Sequence, residues 1–246
     1  MSDDSSPSDP PDLSHVWKGL ASNGYALIPD WDLGVSDDSR EQFHKRYFGD
    51  DVLRHDEGDF PPDRKRARDV IHYIWSDSGL ELREYETITI TDRADIKGKR
   101  EHKRVEILED PQAKHLVETL LDLVPPGRRQ PEGTLGVNFF RTYTDVVTKP
   151  HHDHEEYIFL YLMHRDGGGA ESYLYRDYEP FKGGPPDEPA LDYRQLSPGE
   201  LLIFEDSLFT HGATPLEPLP DGTAMRDMIV FTVDYPETYL KPKQAR

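Results

Sequence analysis

The sequence predicts a mainly β protein in which a few helices lead into a C-terminal sandwich or barrel. Three observations carry that reading. From about residue 134 onward, β-branched and aromatic runs recur: "TLGVNFFRTYTDVV", "EEYIFLYLMHR", "ESYLYRDY", "ELLIFED" and "DMIVFTVDY". Gly- and Pro-rich breaks such as "DGGG", "KGGPPDEP" and "PLPDGT" separate them, as turns separate strands. Helical periodicity is absent from this half of the chain.

The elements follow in order. Residues 1–12 are mostly Ser, Asp and Pro with almost nothing to bury, which predicts a disordered leader. A helix follows over about 13–22, with Asp12 or Ser14 as cap, and then the short strand "YALIP". Residues 38–48 read as a second helix. The charged segment 50–68 ends in the basic run "DRKRARD", after which "VIHYIW" and "YETITIT" read as strands. In "QAKHLVETLLDLV", Leu116, Val117, Leu120, Leu121 and Val124 share one helical face, and "PPGRRQPEG" ends that helix. With no internal repeat and no clean linker, one domain is expected over 13–246. Its helical and β support covers 13–130 and its β core about 134–236.

The 246 residues suffice for a sizeable core. Forty-eight acids against 29 bases give a formal charge of -19. That balance argues against nucleic acid and anionic membranes, both of which need a basic face. Without cysteine, any metal must be held by nitrogen and oxygen ligands. No apolar stretch approaches the roughly 18 residues of a membrane span, and the N-terminus lacks the basic-then-apolar pattern of a signal peptide. A cytoplasmic protein acting on a small molecule is the resulting expectation.

The stretch "KPHHDHEEYIFLYLMHR" concentrates imidazoles and carboxylates. Residues two apart on a strand share a face, so three pairs compete: His151 with Asp153, His152 with His154, and His154 with Glu156. A His-x-Asp pair joined by a distant histidine forms the 2-His-1-carboxylate triad, which leaves positions on Fe(II) for cosubstrate and dioxygen. The distant member is His211, delivered by "LSPGELLIFEDSLFTHGATPL" as a strand runs into a polar turn. His15, His44, His55, His72, His102, His115 and His164 sit singly and suit surface or core duty. Fifteen residues after His211, Arg226 opens the last strand, where a guanidinium suits a carboxylate clamp or an edge salt bridge to Asp227 or Glu205.

Short His-x-Asp strings are common, and the order of elements is more specific. "HHD", "GGGAES", "EDSLFTHG" and "RDMIVFTVDY" follow one another as they do in the Fe(II)/2-oxoglutarate dioxygenases. In detail the chain resembles the L-isoleucine dioxygenase-like subfamily, which hydroxylates free aliphatic amino acids. The resemblance covers roughly residues 60 to 235, with a looser likeness in "DRKRARD" and "KGKREHKRVEIL". It implies a double-stranded β-helix (jelly-roll) core, with Fe(II), 2-oxoglutarate and O2 as cofactor and cosubstrates. It implies His151, Asp153 and His211 as metal ligands and Arg226 as the clamp for the far carboxylate of 2-oxoglutarate. One departure stands out: the family commonly places Gly after the Asp, whereas this chain has His154, Glu155 and Glu156.

Other pocket residues are expected from strand alternation. "NFFRTYTD" puts Asn138, Phe140 and Thr142 on one face and Phe139, Arg141 and Tyr143 on the other. Asn138 is a candidate for the cosubstrate, and Arg141 and Tyr143 for the substrate. On the strand after the Gly-rich turn, Ser172 and Tyr175 are further substrate candidates, on opposite faces. Asp206 suits either orienting His211 or capping the turn. Two rival readings are a cupin-type metal enzyme using His152, His154 and His211 without 2-oxoglutarate, and a non-catalytic jelly-roll binding module.

Overall fold

The computed structural model describes residues 12–55, 64–85, 104–143, 148–176 and 189–235. The leader up to residue 11, all of "YETITIT" after Tyr85, His102 and most of "KGGPPDEP" lie outside them. Helix α1 (Ser14–Asn23) starts where Asp12 accepts the Ser14 N–H at 3.0 Å and stops at Gly24, whose φ of 80° continues no right-handed helix. Strand β1 (Tyr25–Ile28) follows. Helix α2 (Asp37–Tyr47) is capped by Ser36, whose hydroxyl accepts the Ser39 N–H at 3.1 Å.

Strand β2 (Lys65–Ser76) is longer than its apolar half, because the basic run forms its first half. A hairpin leads into β3 (Gly79–Glu84), a strand not expected from the sequence, in which Leu80 and Leu82 alternate with outward-facing charged residues. Helix α3 (Pro111–Leu123) begins at Asp110, which caps Gln112 and Ala113, with Pro111 in the first turn where no N–H is needed. The remaining strands are β4 (Glu132–Thr142), β5 (Thr148–His151), β6 (Tyr157–Asp166), β7 (Gly168–Gly169), β8 (Ser172–Arg176) and β9 (Leu191–Arg194). Then come β10 (Leu201–Glu205), β11 (Phe209–Ala213), β12 (Leu216–Glu217) and β13 (Met225–Asp234).

Seven strands form the larger sheet in the order β1-β10-β6-β13-β4-β2-β3, and β5-β11-β8-β9 form a smaller one. The larger sheet is covered on both faces. Phe159, Tyr161 and Met163 of β6 join Phe139, Ile229 and Phe231 in a core shared with residues of all three helices. Their neighbours Ile158 and Leu162 point the other way, with Leu174, Phe204 and Phe209, into the space between the sheets. Two facing antiparallel sheets closed in this way make the expected jelly-roll, and helices pad its outer wall. Among the described residues, no helix is long and apolar enough to cross a membrane.

Candidate metal centre and active site

Strand β5 ends at His151, and pairing with β11 places His211 directly opposite. Their rings lie 4.3 Å apart between centroids. Asp153 sits between them, with Oδ1 3.4 Å from His151 Nε2 and Oδ2 3.5 Å from His211 Nε2. One ligand atom from each of the three lies within 4.8 Å of the others, a spacing that one ion can span. Burial alone would raise Asp153, but hydrogen bonds and charge from His151 and His211 outweigh it and hold the carboxyl far below its usual range. Burial alone would lower His211, yet Asp153 and Asp206 raise its imidazole to about 9. A cluster that draws a proton this strongly favours a cation, so the donor set fits a divalent metal.

Asp206, 1 % exposed, ties the two halves of this site together. Its carboxylate accepts backbone N–H groups from Asp153 (3.4 Å), His154 (2.6 Å) and Glu155 (3.2 Å). Oδ1 also stands 3.4 Å from His211 Nδ1. It therefore caps the turn and faces the histidine at once, where the sequence left a choice. His154 has a φ of 66°. Gly adopts that left-handed backbone without strain, whereas a residue with a Cβ does not. The following Glu155 is pushed well above its ordinary range by burial and by Asp234, with Arg68 acting against them.

The triad opens onto a cavity of about 250 Å³ whose wall includes Arg64, Phe140, Thr142, Ser172, Arg226 and Met228. Arg226 makes no ion pair with any described residue, and burial followed by the nearby Arg165 and Arg64 lowers it to about 10. A guanidinium crowded by others and lacking an acid is a site for an anion. Ser172 Oγ is buried there without a hydrogen-bond partner.

The family model for 2OG-Fe dioxygenase matches residues 53–232. The chain belongs to this family. A 2OG-Fe dioxygenase uses Fe(II), 2-oxoglutarate and O2, and the His151, Asp153 and His211 cluster is its candidate iron site here. Solved structures show the same fold. A bsmA homologue from Methylobium petroleophilum PM1 aligns at 18% identity over 92% of this chain and 94% of its own, with a TM-score of 0.75. IDO from Bacillus thuringiensis aligns at 17% over 91% and 95%, with a TM-score of 0.67. The Fe(II)/α-ketoglutarate-dependent dioxygenase TqaL aligns at 14% over 90% and 87%, also at 0.67. No curated protein matches.

In this 2OG-Fe dioxygenase the remaining expected site residues divide. Ser172 faces the cavity; Tyr175, on the other face of β8, bonds its hydroxyl to that of Tyr193 at 3.0 Å. Asn138 shares a face with Phe140 and Thr142, yet it donates to the Val230 carbonyl at 3.4 Å and is no part of the cavity wall. Arg141 lies on the helix side, where it holds Asp227 through two bonds of 2.7 and 2.5 Å. Tyr143 lies under Lys65, whose Nζ is 5.8 Å from the ring centroid. The physical reason is the register: Arg226 pairs with Thr142 and Asp227 with Arg141, so alternation sends the two arginines to opposite faces.

His152 does not join a metal set. Its ring nitrogens lie 3.0 Å from the Asp206 carbonyl and 3.0 Å from Thr210 Oγ1, and His154 is exposed. The residue missed by sequence reasoning is Arg64. The signal was the spacing Arg64, Arg66, Arg68 in "RKRAR", which puts three guanidiniums on one face of a strand.

Proposed function

We propose that the chain hydroxylates an unactivated C–H bond of a small molecule, a free L-amino acid or a derivative of one. The observation that carries this reading is that Arg226, without an acidic partner among the described residues, shares one cavity with the His151, Asp153 and His211 cluster. Arg226 would hold the far carboxylate of 2-oxoglutarate, and His151, Asp153 and His211 the iron. When bound, that pair supplies the oxidising power: 2-oxoglutarate and O2 become succinate and CO2, and the second oxygen atom enters the substrate as hydroxyl.

The protein's own residues orient and exclude. Asp206 fixes the ligand loop, and Phe140 and Met228 line the cavity with apolar groups. Ser172 offers the substrate or the keto acid a hydroxyl. The motif order, which resembles that of the L-isoleucine dioxygenase-like subfamily, supports an amino-acid substrate.

Anaerobic titration with Fe(II) and 2-oxoglutarate tests this directly. A weak visible charge-transfer band is expected, followed by succinate release with one or more free L-amino acids. A wild-type protein without the band has no such centre. Metal-dependent turnover without 2-oxoglutarate would instead favour a cupin-type enzyme.

A further inference from the structure

A second cavity lies on the opposite face of the larger sheet, between α2, α3 and β6. It has a volume of about 280 Å³. Its floor is Phe43, Leu116, Tyr161 and Met163, each at most 7 % exposed, and the exposed Gln112 and His115 stand at its mouth. An apolar cavity of about 150 Å³ holds a benzene ring, so this one accommodates a larger molecule.

Ser39 and Arg40 add polar groups to the wall, and among the four floor residues Tyr161 carries the one polar group. The Tyr161 hydroxyl is buried and has no hydrogen-bond partner, and the residue as a whole is 1 % exposed. A buried donor left unpaired is costly, and β strands offer many ring-bearing residues without that cost. The charge around it narrows the choice of ligand. Arg40, also in the wall, is already bonded to Asp30 and, at 2.6 Å, to Asp37. Two carboxylates against one guanidinium leave no welcome for an anion.

We propose that this cavity is a second small-molecule site. Its ligand is a neutral molecule with an apolar body and one carbonyl-type acceptor, which receives the Tyr161 hydroxyl. The site is separate from the iron cavity. Alternation along β6 turns Leu160 into that cavity and Tyr161 into this one, and the assignment does not rest on the iron chemistry.

The four methionines provide the test, because Met163 lines this cavity and Met228 the other. The full-length chain carrying methyl-labelled methionine is titrated with acetophenone and, separately, with isopropylbenzene, resonances being assigned with Met163→Leu and Met228→Leu. Acetophenone is expected to move the Met163 methyl signal and leave Met228 in place. Tyr161→Phe removes only the unpartnered hydroxyl and keeps the ring, so the variant folds. It should weaken acetophenone binding about threefold to tenfold and leave isopropylbenzene unchanged. A Met163 signal that stays still, or a response at Met228 alone, overturns the site. Equal acetophenone affinity in wild type and Tyr161→Phe overturns the role of the hydroxyl, leaving only an apolar void.

Discussion

Asp206 stands 3.4 Å from the Nδ1 of His211 while the same carboxylate caps the backbone of the loop that carries Asp153. Two candidate ligands from distant parts of the chain thus share one support. Asp206→Asn keeps the size but turns one acceptor into a donor facing backbone N–H groups. Metal affinity is expected to fall about tenfold to a hundredfold, read by calorimetric titration with Mn(II). Unchanged affinity would mean that the loop holds its shape without the carboxylate.

Ligand assignment separates neighbouring imidazoles. Asp153→Ala and His211→Ala should each abolish the charge-transfer band with Fe(II) and 2-oxoglutarate. His152→Ala should keep it, since that ring is engaged by Asp206 and Thr210. The opposite pattern would move the metal to the other side of the strand.

Proton competition gives the pH dependence. In the metal-free protein His211 keeps its proton up to about 9, because Asp153 and Asp206 outweigh its burial. A divalent ion must displace that proton, so apparent Mn(II) affinity rises with pH up to about 9 and flattens beyond. The gain is at most about tenfold per unit for the one proton released. Affinity that ignores pH below 9 would remove His211 from the ligand set.

The two arginines on adjoining strands should fail differently. Arg226→Ala removes a charged clamp and should raise the KM for 2-oxoglutarate about tenfold to a hundredfold. Arg141→Met leaves the fully buried Asp227 with only His44, whose Nε2 is 2.5 Å from Oδ2. A destabilisation of about 3 kcal/mol or more is expected, seen as a lowered Tm. A raised substrate KM with an unchanged Tm would return Arg141 to the pocket.

Backbone strain after Asp153 is measurable as well. His154→Gly relieves a left-handed residue and should stabilise by roughly 0.5–1 kcal/mol, net of the added freedom of the unfolded chain. A lower Tm would show that the imidazole makes contacts outweighing the strain. A higher Tm with slower turnover would show that it serves the reaction.

The three residues of the candidate iron site and the cavity-lining Arg226 could be picked out because their signals are local: a His-x-Asp at a strand entrance, a His-Gly after an apolar strand, an arginine opening the last one. Arg141 was not legible in the same way. Both faces of the larger sheet are buried, so alternation separates two sets of residues without saying which set meets the helices. Tyr175 falls on the face of its strand turned away from Ser172, and Asn138, on the same face as Phe140, is drawn to the Val230 carbonyl, a contact that only the pairing of β4 with β13 sets. The strand Gly79–Glu84 shows only Leu80 and Leu82 on its inner face, too short an alternation to stand out before its hairpin with β2 is formed. Asp206 showed itself as a polar residue before the distal histidine, but its three backbone partners are fixed by tertiary docking.

The pairing of His151 with His211 across β5 and β11 has a consequence for how the protein is made. The two candidate ligands lie sixty positions apart in the chain. During synthesis the ribosome must release β11 and let it dock before all three donors can meet. A half-made chain therefore has no complete place for iron, and oxygen chemistry waits until the barrel that confines it has closed.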